Sequence, residues 1–202
     1  EDKSFAVDYI LNSDEHTIIV ANGKDIIKPM LRFVNSYDGS NKTSGHFGYF
    51  RQVCTNGLHV AEMKVSFSVK HRGNIVDFVL PHIDELINTF LNNEYYTLKP
   101  KAELMGDVRL NNVQQFVKDV CEKTNLFKFE KSETNLEPSL NAQTIINTIH
   151  NEANYLGILP NTWLGYNAFN EILHNKLKKN FEQQKQLDKE IFNTIYEIAA
   201  AN

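Results

Sequence analysis

The sequence predicts an α+β fold, in which an antiparallel four-stranded β-meander and a packing helix precede a helical C-terminal half. Residues 62–70 alternate between apolar and polar side chains, and this period of two is typical of a strand with one buried face. Turn signals recur at Asn22-Gly23, Asp38-Gly39 and Asn56-Gly57. Beyond Gly73, apolar residues recur at steps of three and four, which is the spacing of amphipathic helices.

Strand-like runs occupy the intervals between these turns. Residues 16–21 are rich in β-branched side chains and lead into Asn22-Gly23, which predicts a hairpin. Further strands are predicted over 28–37, 46–55 and 58–70. Residues 5–10 form either a short strand or an arm.

Helices are predicted from apolar periodicity and from capping residues. The first is expected over 75–90, with Pro81 moving its start to about Leu80, and 91–106 is expected to be irregular. The remaining helices are predicted over 112–123, from a Ser139 cap to Gly157, from an Asn161 or Thr162 cap through Leu177, and over 187–200. The predicted organisation is therefore a sheet-containing part over 1–125, a loop or linker over 126–138, and a helical region over 139–202 that packs on the first part.

Charge is distributed unevenly along the chain. The 202 residues include 21 Lys and Arg and 25 Asp and Glu, for a net charge of −4. Residues 28–72 instead carry seven basic and two acidic side chains, a local net charge of +5. This distribution excludes a histone-like binding mode spread over the whole surface, and it predicts a local basic patch for an anionic partner.

The predicted compartment is the cytoplasm. Cys54 and Cys121 have neither disulfide-framework nor C-x-x-C spacing, so we expect two reduced thiols. No run approaches the roughly 18 apolar residues that span a membrane, and residues 1–10 lack the apolar core of a signal peptide. No membrane partner is expected.

The basic strands predict a nucleic-acid site. Cations along a strand can follow a phosphate backbone, and aromatic rings stack on the bases of single strands. The predicted phosphate ligands are Arg32, Arg51, Lys64, Lys70, His71 and Arg72, and the predicted stacking residues are Tyr49 and Phe50. In the alternative interpretation, the basic side chains only solvate the outer face while the aromatic side chains form the core.

Two polar sets could instead carry chemistry. Cys54 could act as a nucleophile if a histidine such as His71 activated it, although a strand cysteine is more commonly a small buried hydrophobe. Asn167, Glu171 and His174 share one side of a helix. They could hold an acid–base histidine, or they could form a polar seam that docks this helix.

Motifs for common cofactors and metals are absent from the sequence. There is no Walker A or G-x-G-x-x-G motif, and no Cys or His pair has zinc-site spacing. We therefore expect neither a cofactor nor a metal, although Asp38, Glu62 and Asp77 leave a two-metal nuclease site open.

Three segments together resemble a known family. NSYDGS at 35–40, RQVCTNGL at 51–58 and TWLGYNAFNEILH at 162–174 are similar to motifs of the phage/plasmid-like protein family, a domain of unknown function. This chain departs from the family pattern at His71-Arg72, where the family has His-Thr. The polar motif residues that the resemblance singles out are Asn35, Asp38, Cys54, Asn56, Asn167 and His174.

The resemblance implies a protein of a mobile genetic element. The architecture, a basic meander followed by a packing helix, is also similar to single-strand annealing proteins of the RecT, Erf and Red-beta kind. That similarity implies single-stranded DNA as partner, a role in recombination and a homo-oligomer. Two alternatives remain. One is an enzyme that gathers Asp38, Arg51, Cys54, Asn56, His71, Asn167 and His174 into one pocket, and the other is a counter-defence module that binds host proteins.

Overall fold

The computed structural model describes residues 4–36, 43–51, 66–69, 75–127, 129–131, 136–177 and 181–202. The chain divides into two compact units. The first comprises residues up to 18 together with 26–100, and the second comprises 19–25 with 101–202. Residues 101–125 are in the second of these units.

An antiparallel sheet confirms the β part of the predicted α+β fold. Its strands are β1 (Ser4–Ile10), β2 (Ile18–Val20), β3 (Asp25–Ser36), β4 (Thr43–Arg51) and β5 (Ser66–Val69). The strand order is β1-β3-β4-β5, and β2 also pairs with β3. Residues 5–10 are therefore a strand rather than an arm, and this strand neighbours β3.

The hairpin predicted at Asn22-Gly23 is present between β2 and β3. Asn22 has φ 55° and Gly23 has φ 81°, and both values lie in the left-handed region that such a turn requires. Ala21 shares this conformation, with φ 53°. The preference of Asn22 and Gly23 for positive φ therefore favours this connection, as the Asn-Gly pair predicts.

The register between β3 and β4 separates the side chains into two faces. Lys28 lies opposite Phe50 and Arg32 lies opposite His46, and these pairs define the polar face. The intervening pairs, Pro29–Tyr49 and Leu31–Phe47, project from the other side.

This second side is the helix-packed face. α1 (Ile75–Thr89) continues into a π-helical turn, Phe90–Glu94, and Phe90 is fully buried. The Phe90 ring lies 5.1 Å from the Phe47 ring and 5.0 Å from the Tyr49 ring, measured between centroids. The predicted packing of a helix on the meander is thus confirmed, and aromatic contacts form its centre.

Two predictions about proline were wrong. α1 begins at Ile75 with Pro81 inside it, not near Leu80. Residues 91–106 are not irregular: α2 (Tyr95–Asp107) includes Pro100. The residues Tyr95, Leu98, Ala102 and Met105 are all buried at helical spacing. Burial of this apolar stripe outweighs the cost of the proline.

The second unit contains four further helices, as the helical C-terminal half predicts. They are α3 (Val113–Thr124), α4 (Leu140–Leu156), α5 (Thr162–Asn175) and α6 (Phe181–Ala200). α5 packs against α4 and α6, and α3 packs against the same two helices. None of the helices in the described ranges is both long and apolar enough to cross a membrane.

The helix boundaries follow the predicted capping chemistry. The Ser139 hydroxyl accepts a hydrogen bond from the Ala142 amide, and Gly157 ends α4 in the left-handed conformation at φ 65°. The Asn161 side chain caps α5 by accepting a hydrogen bond from the Leu164 amide. In contrast, the predicted loop at 126–138 contains a short hairpin, β6 (Phe129–Lys131) and β7 (Leu136–Pro138).

α5 is the most deeply buried helix segment of the second unit, and every residue from Thr162 to Asn170 is buried. Gly165 permits a close approach, because a Cβ there would lie 2.7 Å from Cζ of the buried Phe116 ring. An alanine at this position therefore requires the ring to move.

We predict that Gly165→Ala lowers the free energy of unfolding by about 1–2 kcal/mol, because overpacking outweighs the roughly 1 kcal/mol gain in helix propensity. Urea denaturation measures this change. Combining the substitution with Phe116→Leu should give a loss smaller than the sum of the two single losses. Strict additivity would show that contact with the ring is not the cause.

Candidate nucleic-acid interface

The polar face of the sheet brings together cationic, hydrogen-bonding and aromatic side chains. Lys28 and Arg32 project from β3, and their cross-strand partners Phe50 and His46 project from β4. All four side chains are half-buried. Met30 lies between the two pairs along β3 and is buried.

Arg32 is held by a carboxylate of the neighbouring strand. Its Nε donates to Asp8 Oδ1 and its Nη2 donates to Asp8 Oδ2, each at 2.7 Å. This hydrogen bonding to Asp8 raises the pKa of Arg32 above its ordinary value. About a third of each side chain remains exposed, at 32% for Arg32 and 36% for Asp8. The guanidinium is therefore positioned and charged, but its field is compensated by Asp8.

The other polar side chains of this face contact neutral groups. Lys28 Nζ donates to Asn12 Oδ1 at 3.0 Å, and this contact is exposed. The His46 Nε2 and Ser44 Oγ atoms lie 3.0 Å apart and form a hydrogen bond. The partner of Lys28 in this contact is thus a neutral amide oxygen, which a phosphate could replace.

Two of the predicted ligands lie on the helix-packed face instead. Tyr49 and Arg51 are each only 1% exposed. Burial is the main cause of the raised pKa of Tyr49, so its phenol stays neutral. Neither side chain is open to a ligand in the described structure, and Phe50 is the aromatic residue that the polar face presents.

Other predicted site residues lie outside the described residues. They are Lys64, Lys70, His71, Arg72, Asp38, Cys54 and Asn56. Asn35 is described, and its Oδ1 accepts hydrogen bonds from the Ser36 amide at 2.8 Å and from Thr43 Oγ1 at 3.2 Å. This motif asparagine therefore links the end of β3 to the start of β4.

The motif residues of α5 lie in the second unit, where they take part in buried hydrogen bonds. Asn167 is 5% exposed, and its Nδ2 donates to the Trp163 carbonyl at 2.9 Å. The indole Nε1 of Trp163 donates to Asp25 Oδ2 at 2.8 Å, and Asp25 is fully buried. His174 is half-buried near the end of the helix.

A second buried carboxylate lies between α5 and α6. Asp188 Oδ1 accepts hydrogen bonds from the Tyr166 hydroxyl at 3.0 Å and from Asn170 Nδ2 at 2.9 Å. These contacts attach α5 to α6 through Tyr166 and Asn170. The sequence analysis missed Asp25, Tyr166, Asn170 and Asp188. The detectable signal was the helical spacing of Tyr166 and Asn170 on the motif helix.

Two further observations concern the thiol and the metal-ligating side chains of the described part. Cys121 is buried, and burial raises the pKa of its thiol to about 12, so it stays protonated at neutral pH. Among the described residues, no group of three or more His, Cys, Asp and Glu side chains could hold a metal ion.

The fold and this face define an α+β protein whose antiparallel sheet is packed by a helix on one side and carries Lys28, Arg32, His46 and Phe50 on the other. The chain belongs to the family described as Domain of unknown function (DUF932), whose model matches residues 6–192. This match includes all three motif segments on which the sequence resemblance was based. No solved structure matches the chain.

We predict that Tyr166→Phe lowers the free energy of unfolding by about 1–2 kcal/mol, because the buried Asp188 side chain loses the hydrogen bond that the Tyr166 hydroxyl donates to it. Urea denaturation measures the change. Tyr155→Phe is the matched control, since Tyr155 is 79% exposed and should shift stability by less than about 0.5 kcal/mol. Equal stability of Tyr166→Phe and the parent chain would contradict a stabilising seam.

Proposed function

We propose that this chain binds single-stranded DNA on the polar face of its sheet, and that it serves a phage or plasmid by annealing complementary strands during recombination. The observation that supports this most is the cross-strand arrangement of Lys28 and Arg32 with Phe50 and His46. Cations next to an aromatic ring on a sheet surface are what a sequence-tolerant single-strand site requires.

The spacing within this face fits an extended strand of nucleic acid. Lys28 and Arg32 are four residues apart on β3, which corresponds to about 13 Å at the usual strand rise. Phe50 lies beside the first cation and His46 beside the second. Phosphates would contact the two cations, and one base would stack on the Phe50 ring.

The Asp8–Arg32 pair is part of the proposed mechanism. A phosphate that approaches Arg32 competes with the Asp8 carboxylate for the same two guanidinium donors. Binding therefore exchanges one anion for another at Arg32, and the unfavourable proximity of Asp8 limits affinity. Such a site releases its strand readily, as annealing requires.

The sequence supports an extension of this face. Strand alternation over residues 62–70 gives Lys64 and Lys70 the same parity as Ser66 and Ser68. Ser66 and Ser68 pair with His46 and Ser44 in the register of β4 with β5. We infer that the two lysines add phosphate contacts, together with His71 and Arg72.

The motif resemblance supports the mobile-element part of the proposal, and homo-oligomerisation follows from the same analogy with annealing proteins. A large exposed apolar patch on the C-terminal helices would favour the counter-defence alternative. In the described part of those helices, Leu140 and Tyr155 are strongly exposed but lie at opposite ends of α4, roughly 22 Å apart. They do not form one patch.

We predict that Lys28→Gln weakens binding of a labelled single-stranded oligonucleotide. Removing one phosphate contact should reduce the slope of log affinity against log salt by about 0.7, through counterion release. Fluorescence anisotropy over a salt series measures both quantities.

The matched control for this experiment is Lys123→Gln, because Lys123 is exposed in the last turn of α3 in the second unit. It removes the same charge and should leave the slope unchanged. Equal effects of the two substitutions would point to non-specific attraction. If the parent chain shows no binding at low salt, the proposal is overturned. If it binds RNA of the same sequence more tightly than DNA, the ligand is RNA rather than DNA.

We predict that Asp8→Asn strengthens binding and steepens the salt slope by about 0.7, because Arg32 becomes fully available to phosphate. The same anisotropy series tests this. Glu122→Gln is the matched control, since Glu122 Oε1 lies 3.8 Å from Lys118 Nζ in the second unit. Glu122→Gln changes the net charge by the same amount as Asp8→Asn, but the cation that it releases, Lys118, lies outside the site. Unchanged binding by Asp8→Asn would exclude Arg32 as a phosphate ligand.

A further inference from the structure

The edge strand β1 combines exposure with an apolar sequence. In the described residues it ends the strand order of the sheet, and β3 is its neighbour. Val7 is 39% exposed and Tyr9 is 61% exposed, although both belong to a hydrogen-bonded strand. Such an edge presents main-chain donors and acceptors to another strand.

The usual protection against edge pairing is weak on β1. Proteins commonly place lysine, proline or an uncompensated charge on such strands. Residues 5–11 contain neither lysine nor proline, and their one charged residue is Asp8. Asp8 is neutralised within the chain by the bidentate contact with Arg32. A strand that approaches this edge therefore meets no net charge.

We propose that two copies of this chain associate by antiparallel pairing of their β1 strands, about a twofold axis at Val7. This inference does not rest on DNA binding. It specifies an interface that the annealing analogy leaves open.

The sequence of β1 selects this register among the symmetric ones. Val7 is the midpoint of Ser4–Ile10, so an axis there pairs all seven residues. It places Phe5 opposite Tyr9 of the second copy, and aromatic cross-strand pairs are stabilising. An axis at Asp8 would set two carboxylates directly opposite each other, and an axis at Ala6 would leave Tyr9 without a partner strand residue.

A pocket next to the edge fits the same arrangement. A cavity of about 190 Å³ lies between the sheet and α1 with its π-helical turn, and Tyr9 is part of its wall. The other lining side chains are apolar, among them Leu31, Phe47, Ile87 and Phe90. In the proposed register, Phe5 of the second copy lies beside Tyr9, at the edge of this pocket. An aromatic ring supplied by the partner strand is thus the occupant that the chemistry favours.

The test is the oligomeric state of the chain without nucleic acid, by sedimentation equilibrium from micromolar to about millimolar concentration. The expected result is a mass twice that of the chain. Val7→Lys places like charges opposite each other on the twofold axis, and it should raise the dimer dissociation constant at least tenfold. An equimolar mixture of Val7→Lys and Val7→Glu should restore the dimer, which also shows that both variants fold.

Ile19→Lys is the matched control, because Ile19 is a β-branched strand residue that is 54% exposed outside β1. It should leave the dimer intact. A parent chain that stays monomeric throughout would overturn the proposal and leave the edge to another occupant. A dimer that survives Val7→Lys, or a mixture that fails to restore it, would also overturn the pairing. Because DNA is absent, none of these outcomes depends on the proposed function.

Discussion

The pairing register of β3 with β4 is the constraint on which the candidate site depends. Eight residue pairs, from Ile27–Arg51 to Val34–Ser44, fix which side chains share a face. A slip by one residue would move Phe47 and Tyr49 out of the aromatic contact with Phe90 and carry the polar side chains into its place. The packing of Phe90 against those rings therefore also keeps Lys28 and Arg32 on the opposite face.

The two units use polar groups in different ways. In the first unit, Lys28 and Arg32 remain partly exposed, and their hydrogen bonds are ones that a phosphate could replace. In the second unit, Asp25 and Asp188 are buried and accept hydrogen bonds from side chains of α5. Polar groups buried in this way specify one packing arrangement of a helix, because any alternative leaves a buried polar group without its hydrogen-bond donors. The motif residue Asn167 is part of this buried hydrogen bonding of α5.

Sequence reasoning predicted the α+β class, the Asn22-Gly23 turn and most helix caps, because each depends on contacts within a few residues. It failed at Pro81 and at Pro100, and at Pro100 burial of an apolar stripe outweighs a local penalty. For the site, the sequence analysis named both Tyr49 and Phe50 for stacking, although neighbouring residues of a strand lie on opposite faces. Which face a helix would cover depends on Phe90, about forty residues away, and no local pattern contains that information.

The sequence by itself determined the strand and helix periods, the turn and capping positions, and the concentration of positive charge between residues 28 and 72. These are properties of neighbouring residues along the chain. Only the tertiary structure decided that Arg51 and Tyr49 are buried while Lys28 and Phe50 lie on the polar face, and that Asp8 neutralises Arg32. Those outcomes depend on strand register and helix packing, because both are stabilised by contacts between residues that are distant in sequence.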